Sequence, residues 1–223
     1  NVKFRKRVTH HDTKISNVEE DPISANATMV DTLRYSLNTG AVFVLQQMGG
    51  GKVNMQARQK LYDYFYNHYR LGHKTGVEQA GESAGIVIPP TDEQGNNVRY
   101  ANMTFGQGMD ITMMQTAAAF GATINGGNYY KPTVVAGTTE DGQEVKKSQA
   151  KVVRKDVLKP VTSQTLKDMI VQGRQLGFLG GKDADAVRGI AATGGHDLNL
   201  VAAVDGAVDH PHQGDDTDVG VEP

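Results

Sequence analysis

The sequence predicts an α/β fold of the α+β type, with helices packed on a sheet, and three observations carry that reading. Two capping boxes, Thr28 to Asp31 and Thr112 to Gln115, open segments with helical apolar spacing. Paired β-branched residues, Val134-Val135 and Val152-Val153, bracket a polar segment from Thr138 to Ser148, which is the pattern of two strands and a loop. After Ser163, which could cap a helix, Leu166, Met169, Ile170 and Leu176 align on one face, and such a face covers a sheet.

Taken in order, residues 1 to 27 mix basic, polar and apolar positions around β-branched Val2, Val8 and Ile15, and suit a hairpin or an extended arm. Met29, Leu33 and Leu37 recur every fourth residue and predict one buried stripe on a short helix. A second helix is expected from Thr39 or Gly40 to Met48, stopped by Gly49-Gly50-Gly51. Ser36 and Asn38 then fall at a helix-to-helix corner, where short polar side chains can enter a cleft while the helices stay packed. Asn54 to Arg70 reads as a further helix with Leu61, Phe65 and Tyr69 on one face and Gly72 at its end. Tyr62, Tyr64 and Tyr66 are read as packing residues rather than a stacking platform for bases or sugars. Residues 86 to 102, with Pro89, Pro90, Gly95 and Asn96, read as a loop. An Ala-rich helix follows Thr112 through Phe120 to Ile124 and closes at Asn125-Gly126-Gly127. Beyond Gly180-Gly181, Ile190, Val201 and Val204 belong to short candidate strands, and no internal repeat is visible.

At 223 residues the chain can bury a sizeable core, as one large domain or as a domain with a smaller attachment, and one domain is expected. Its 23 basic and 25 acidic residues nearly cancel, which argues against a nucleic-acid surface. Charge is nevertheless polarised: Lys3, Arg5, Lys6 and Arg7 crowd the start, and Asp205, Asp209, Asp215, Asp216, Asp218 and Glu222 the end. The absence of cysteine excludes thiol nucleophiles, disulfides and Cys-ligated zinc, and fits an extracytoplasmic protein. No stretch approaches the roughly 20 apolar residues of a membrane span. The chain begins at Asn1 without an initiator Met or a signal-peptide pattern, so it reads as a piece of a longer product. Asp209-His210-Pro211-His212-Gln213-Gly214-Asp215-Asp216 offers imidazoles and carboxylates, but Pro and Gly interrupt any regular ligand spacing. It is read as part of a solvated, flexible tail over residues 205 to 223, with no metal and no cofactor expected.

A set of words along the chain resembles the transpeptidase domain of class B penicillin-binding proteins. Thr32-Leu33-Arg34-Tyr35-Ser36-Leu37-Asn38-Thr39-Gly40, with Gly49 closing the next helix, is similar to the surroundings of the family's S-x-N triplet. Gly72-His73-Lys74-Thr75-Gly76-Val77-Glu78 and Gly81-Glu82-Ser83-Ala84-Gly85 resemble its G-x-K-T-G-I…G-E-x-x-G segment, which comes too early to be the catalytic K-T-G. Phe105-Gly106-Gln107-Gly108, Thr112, Gln115, Ala118, Asn125-Gly126-Gly127 and Pro132 form the strongest part of the likeness, which spans roughly residues 15 to 195. The resemblance implies an antiparallel sheet flanked by helices, incomplete here, with residues 1 to 204 forming a partial transpeptidase domain.

It also implies site roles. Ser36 would relay a proton between the nucleophile's lysine and the leaving or attacking amine, and Asn38 would hold a substrate amide and orient that lysine. Gly189-Ile190-Ala191-Ala192-Thr193-Gly194-Gly195 stands in the place of the third element, G-K-T-G-T. There Thr193 would donate to a substrate carboxylate, Gly194 would leave room for substrate along an edge strand, and the Gly195 N–H would face an oxyanion. Ala192 occupies the lysine position, so either the register differs or this site is impaired; a glycine-rich strand end without function is the bland alternative. The S-x-x-K nucleophile is absent before Ser36, since neither Ser16 nor Ser24 has the lysine. Ser148-Gln149-Ala150-Lys151 has the spacing but lies after the second motif in a polar stretch and is set aside.

The family's activity is cross-linking of peptidoglycan stem peptides ending in D-alanyl-D-alanine, through a serine acyl-enzyme that β-lactam antibiotics also trap. The resemblance thus implies an extracytoplasmic parent protein, membrane-anchored through a preceding segment, with division or elongation proteins as partners and no nucleic acid. This chain alone is expected to be inactive. Two alternatives stand beside that reading: a non-catalytic module of the same fold that recognises peptides or partner proteins, and a serine β-lactamase or β-lactam sensor. The long interval from Ser36 to Thr193 disfavours the last.

Overall fold

A computed structural model describes residues 7–10, 13–17, 26–140, 142 and 145–175. The first element is a hairpin of β1 (Arg7–His10) and β2 (Thr13–Ser16), antiparallel with Val8 opposite Ile15, which selects the hairpin among the two expected forms. Helix α1 (Met29–Arg34) starts with the expected capping box: Thr28 Oγ1 accepts the Asp31 N–H, and the Asp31 carboxylate accepts the Thr28 N–H. Helix α2 (Asn38–Met48) ends at Gly49, as the glycine run predicts.

The expected Met29/Leu33/Leu37 stripe does not form. Helix α1 stops after six residues and buries none of them; Leu33 is 45% exposed. Leu37 is buried, but as the N-cap of α2, so the four-residue interval is broken by the turn between the helices.

The predicted helix from Asn54 exists but changes pitch. Helix α3 (Met55–Tyr62), capped by Asn54 Oδ1 on the Ala57 N–H, continues as a π-helical segment over Asp63–His68. Leu61 is buried with Phe65 and Tyr69 packed around it, and Tyr62 stacks on Tyr66 with ring centroids 5.0 Å apart. Tyr62 and Tyr66 are therefore packing groups, as expected, whereas Tyr64 is exposed and lies against the His68 ring.

Residues 86 to 102 are not all loop. Helix α4 (Asn97–Met103) forms there because Asn96 Oδ1 accepts the Arg99 N–H and because Tyr100, Ala101 and Met103 are buried. Helix α5 (Met113–Ile124) carries the second expected capping box, between Thr112 and Gln115.

The Val-pair reading holds at Val152-Val153, which lies in a strand, and fails at Val134-Val135. β3 (Tyr129–Tyr130) pairs with β6 (Val152–Arg154), and β4 (Gly137–Thr138) pairs with β5 (Lys146–Lys147), both antiparallel. Val134-Val135 lies outside any strand: the Val134 N–H goes to the Glu78 carboxylate at 3.2 Å, and the Val135 N–H to Thr133 Oγ1 at 3.1 Å.

Helix α6 (Pro160–Gln175) starts three residues before Ser163, so Ser163 is not its cap. Ser163 is buried and serves the end of α5 instead: its Oγ accepts the Gly126 N–H at 3.0 Å and donates to the Thr123 carbonyl at 2.7 Å. Among the described residues α6 packs on α1 and α5 rather than covering a sheet. Leu176, Ile190, Val201, Val204 and the tail from 205 lie outside the described residues.

The largest buried cluster joins Leu45 of α2, Val53, Ala57 and Leu61 of α3, Leu71, Val87, and Tyr100 and Met103 of α4. Tyr100 is fully buried with its hydroxyl donating to the Ile88 carbonyl at 2.7 Å, and burial pushes that phenol far above its ordinary value. A second cluster of Ile15, Val42 and Ala101 binds the hairpin to α2 and α4. This places β2 directly against the start of α2, where the candidate site lies.

Candidate active-site corner

The corner between α1 and α2 takes its shape from Ser36. Its φ is +52°, the left-handed region that L side chains rarely occupy, and this reverses the chain within two residues. The turn is held by Tyr35 N–H on the Asp31 carbonyl at 2.9 Å and Leu37 N–H on the Thr32 carbonyl at 3.0 Å. Leu37 is buried beneath it, so Ser36 is lifted out and exposed.

Close approach of the two helices makes the corner tight. A Cβ on Gly40 would overlap Thr32 Oγ1 and come within 2.6 Å of Thr32 Cγ2, so α1 can lie where it does only over glycine. Asn38 opens α2, and its Nδ2 donates to the Ser16 carbonyl of β2 at 3.1 Å. Thr39 is buried, and its backbone N–H donates to Asn17 Oδ1 at 3.0 Å. Ser36 and Asn38 thus share one short, braced segment, as the sequence predicts. Asn17 was not legible as part of it, because 22 residues separate it from Thr39 and nothing local marks it.

Thr193, Gly194 and Gly195, with Ala192 beside them, lie outside the described residues. Ser148 and Lys151 are both exposed in the segment between β5 and β6 and do not open a helix. Among the described residues no cluster of three or more metal-ligating side chains occurs, and no helix is long and apolar enough to cross a membrane. An open cleft of about 780 Å³ is lined by residues that include Thr13, Arg58, Arg99 and Asn102, and by neither Ser36 nor Asn38.

The early Lys74-Thr75-Gly76 is closed on itself. Glu82 Oε1 accepts the Thr75 N–H at 2.6 Å and the Thr75 hydroxyl at 2.5 Å, and Oε2 accepts the Gly76 N–H at 2.9 Å. These bonds, the Thr75 hydroxyl first, hold the Glu82 carboxyl below its ordinary value. Gln115, with no exposed surface, pins the same loop to α5: its Nε2 donates to the His73 carbonyl at 2.6 Å and the Ala84 carbonyl at 2.7 Å. Glu78 bridges to Lys131 at 2.9 Å, and that ammonium is the main cause of its carboxyl dropping to about 2. The loop is a structural clasp, and Lys74 is exposed on it.

Comparison with known proteins agrees with this architecture. A family model described as the penicillin binding protein transpeptidase domain matches residues 2–194. Stage V sporulation protein D of Bacillus subtilis (strain 168) is 29% identical over 141 residues, 63% of this chain and 20% of that protein. Penicillin-binding protein PbpB of Mycobacterium tuberculosis is 30% identical over 147 residues, 64% of this chain and 20% of that protein. The chain therefore spans about a fifth of the length of these curated relatives. Among solved structures, penicillin binding protein 3 of Mycobacterium tuberculosis, complexed with aztreonam, superposes with a TM-score of 0.63 at 23% identity. That match covers 83% of this chain and 39% of the other. The mixed α/β architecture with small antiparallel sheets is the penicillin-binding fold.

Proposed function

This chain belongs to the class B penicillin-binding protein transpeptidase family, and from that premise we propose that it is the carboxyl-side part of a peptidoglycan D,D-transpeptidase. In this reading the parent protein cross-links stem peptides through a serine acyl-enzyme. In the same reading β-lactams bind that serine; the Mycobacterium tuberculosis neighbour is itself complexed with aztreonam and with ampicillin. The parent works on the extracytoplasmic face of the membrane, anchored by a segment outside these residues, with division or elongation proteins as partners.

The observation that carries the proposal is the exposed Ser36 hydroxyl on a braced left-handed turn, two residues before Asn38. A short hydroxyl at a fixed position suits proton relay between a neighbouring lysine and the departing or incoming amine. Asn38 retains Oδ1 and one Nδ2 hydrogen for a substrate amide and for that lysine once Ser16 is served. Thr193, Gly194 and Gly195, which lie outside the described residues, are assigned in this reading to the substrate carboxylate and the oxyanion. The nucleophile belongs to an S-x-x-K segment that precedes the S-x-N triplet, and none stands before Ser36 in this chain, so the 223-residue chain does not acylate by itself.

A second reading, a non-catalytic module that binds peptides or partner proteins, is favoured by Ala192 in the lysine position. One experiment separates them. Intact mass after labelled penicillin should show no adduct on this chain and a single adduct on the S-x-x-K serine of the parent reading frame. A parent frame without S-x-x-K leaves the binding module standing, and an adduct on Ser36 or Ser148 overturns the assignment.

A further inference from the structure

We propose that Asn17 is a positioning residue for the Ser36-Leu37-Asn38 corner, acting as a helix cap supplied from the neighbouring strand β2; this deepens the transpeptidase reading and rests on it.

The first N–H groups of a helix lack intrahelical acceptors, and the N-cap side chain ordinarily serves the second or third of them. In α2 the N-cap is Leu37, which has no acceptor and makes no side-chain cap bond. Leu37 is committed to the core below the corner, so the cap has to come from elsewhere. Asn17 supplies it: Oδ1 accepts the N–H of Thr39, the second residue of α2, at 3.0 Å. The Thr39 hydroxyl lies 3.0 Å from Asn17 Nδ2 and 3.1 Å from Oδ1, so the two buried side chains clasp each other.

Three successive residues of this strand end therefore grip α2. Ile15 packs on Val42, the Ser16 carbonyl takes Asn38 Nδ2, and Asn17 holds Thr39. A backbone carbonyl can only accept, so the Ser16 contact also decides which end of the Asn38 carboxamide faces the strand. The other end, Oδ1, has no partner among the described residues and is the acceptor offered to a ligand. Asn17 thereby sets the position of Asn38 and the turn at Ser36 without itself touching substrate.

Two measurements test this. In the 223-residue chain, NMR follows the side-chain amide signals of Asn38 and the backbone amide of Thr39. Asn17→Ala should shift both, whereas Asn17→Asp, which keeps the acceptor for the Thr39 N–H, should leave them close to wild type. Thr39→Val, which keeps the side-chain volume, should move the Asn38 signals in the same direction by less, and it decides the matter if Asn17→Ala does not fold. In the parent protein, Asn17→Ala should slow penicillin acylation by about tenfold or more, because a misplaced site group costs rate steeply. Asn17→Asp should restore the rate. Leu61→Ala, a core truncation in the other cluster, should lower the melting temperature and leave the rate within about twofold. Unmoved Asn38 signals, or an unchanged acylation rate in Asn17→Ala, overturn the proposal. A wild-type parent that is not acylated at all overturns the transpeptidase reading, and the NMR arm then decides the role of Asn17 by itself.

Discussion

Glu82 and Thr75, seven positions apart, close a loop through one carboxylate oxygen, which accepts both the backbone N–H and the hydroxyl of Thr75 at 2.6 and 2.5 Å. The loop word that looks catalytic, Lys74-Thr75-Gly76, thus has its hydroxyl already spent inside the protein. Thr75→Val should cost about 1.5–3 kcal/mol, the usual worth of a hydrogen bond to a charged group. Chemical denaturation at neutral pH measures it.

The same clasp predicts acid lability. Glu82 and Glu78 both titrate below their ordinary value of 4.5 in the folded chain, Glu78 at about 2. A depressed folded value means that the stabilisation is complete above 4.5 and is lost as pH falls through the folded value. Stability should therefore decline between about pH 4.5 and 2. In Glu82→Gln the part of that decline due to Glu82 should vanish. An unchanged acid limb in this variant would show that the clasp does not contribute.

How far these features could be read from the residues depended on their range in sequence. Thr28 with Asp31 and Thr112 with Gln115 are three-residue bargains, and both capping boxes form where the pattern placed them. The corner at Ser36 and Asn38 was legible for the same reason, because glycines and caps flank it. Helix α4 was hidden by the Pro- and Gly-bearing stretch before it, although Asn96 is its cap. Val134-Val135 carries strand-type side chains, yet the Val134 N–H is claimed by Glu78, 56 residues earlier. The brace at Asn17 is equally remote. Local propensity cannot reveal a backbone donor whose acceptor comes from another element.

Gly40 against Thr32 gives a steric prediction. Gly40→Ala should destabilise by about 1–3 kcal/mol, since the added methyl group meets Thr32 Oγ1 and Cγ2. Adding Thr32→Ala removes both of those atoms and keeps Thr32 Cβ, at 3.0 Å. The double variant should recover most of the loss in a double-mutant cycle, whereas additive effects would place the strain elsewhere.

Gln115 is the buried bolt between α5 and the clasp loop. Gln115→Leu conserves approximate volume but leaves the carbonyls of His73 and Ala84 without their donor. A loss of about 2–6 kcal/mol is expected, since each of the two carbonyls left without a donor costs about 1–3 kcal/mol. Amide hydrogen exchange should rise across residues 73–85 before it rises in α2, because the bolt holds that loop and not the corner.

Ser36 sets stability against function. A non-glycine residue in the left-handed region costs about 1–2 kcal/mol, and Ser36 sits there at φ +52°. Glycine at this position removes that strain but enlarges the freedom of the unfolded chain by about 0.4–1 kcal/mol. Ser36→Gly should therefore raise stability modestly, by about 0.5–1 kcal/mol, in the 223-residue chain. In the parent protein the same substitution should remove the relay hydroxyl and depress penicillin acylation by about 100-fold, within the range of a lost general acid or base. Ser36→Ala should depress acylation equally while keeping the backbone strain, so its stability should stay at or below that of wild type. Acylation that survives both substitutions would strip Ser36 of its proposed role and leave the turn as architecture alone.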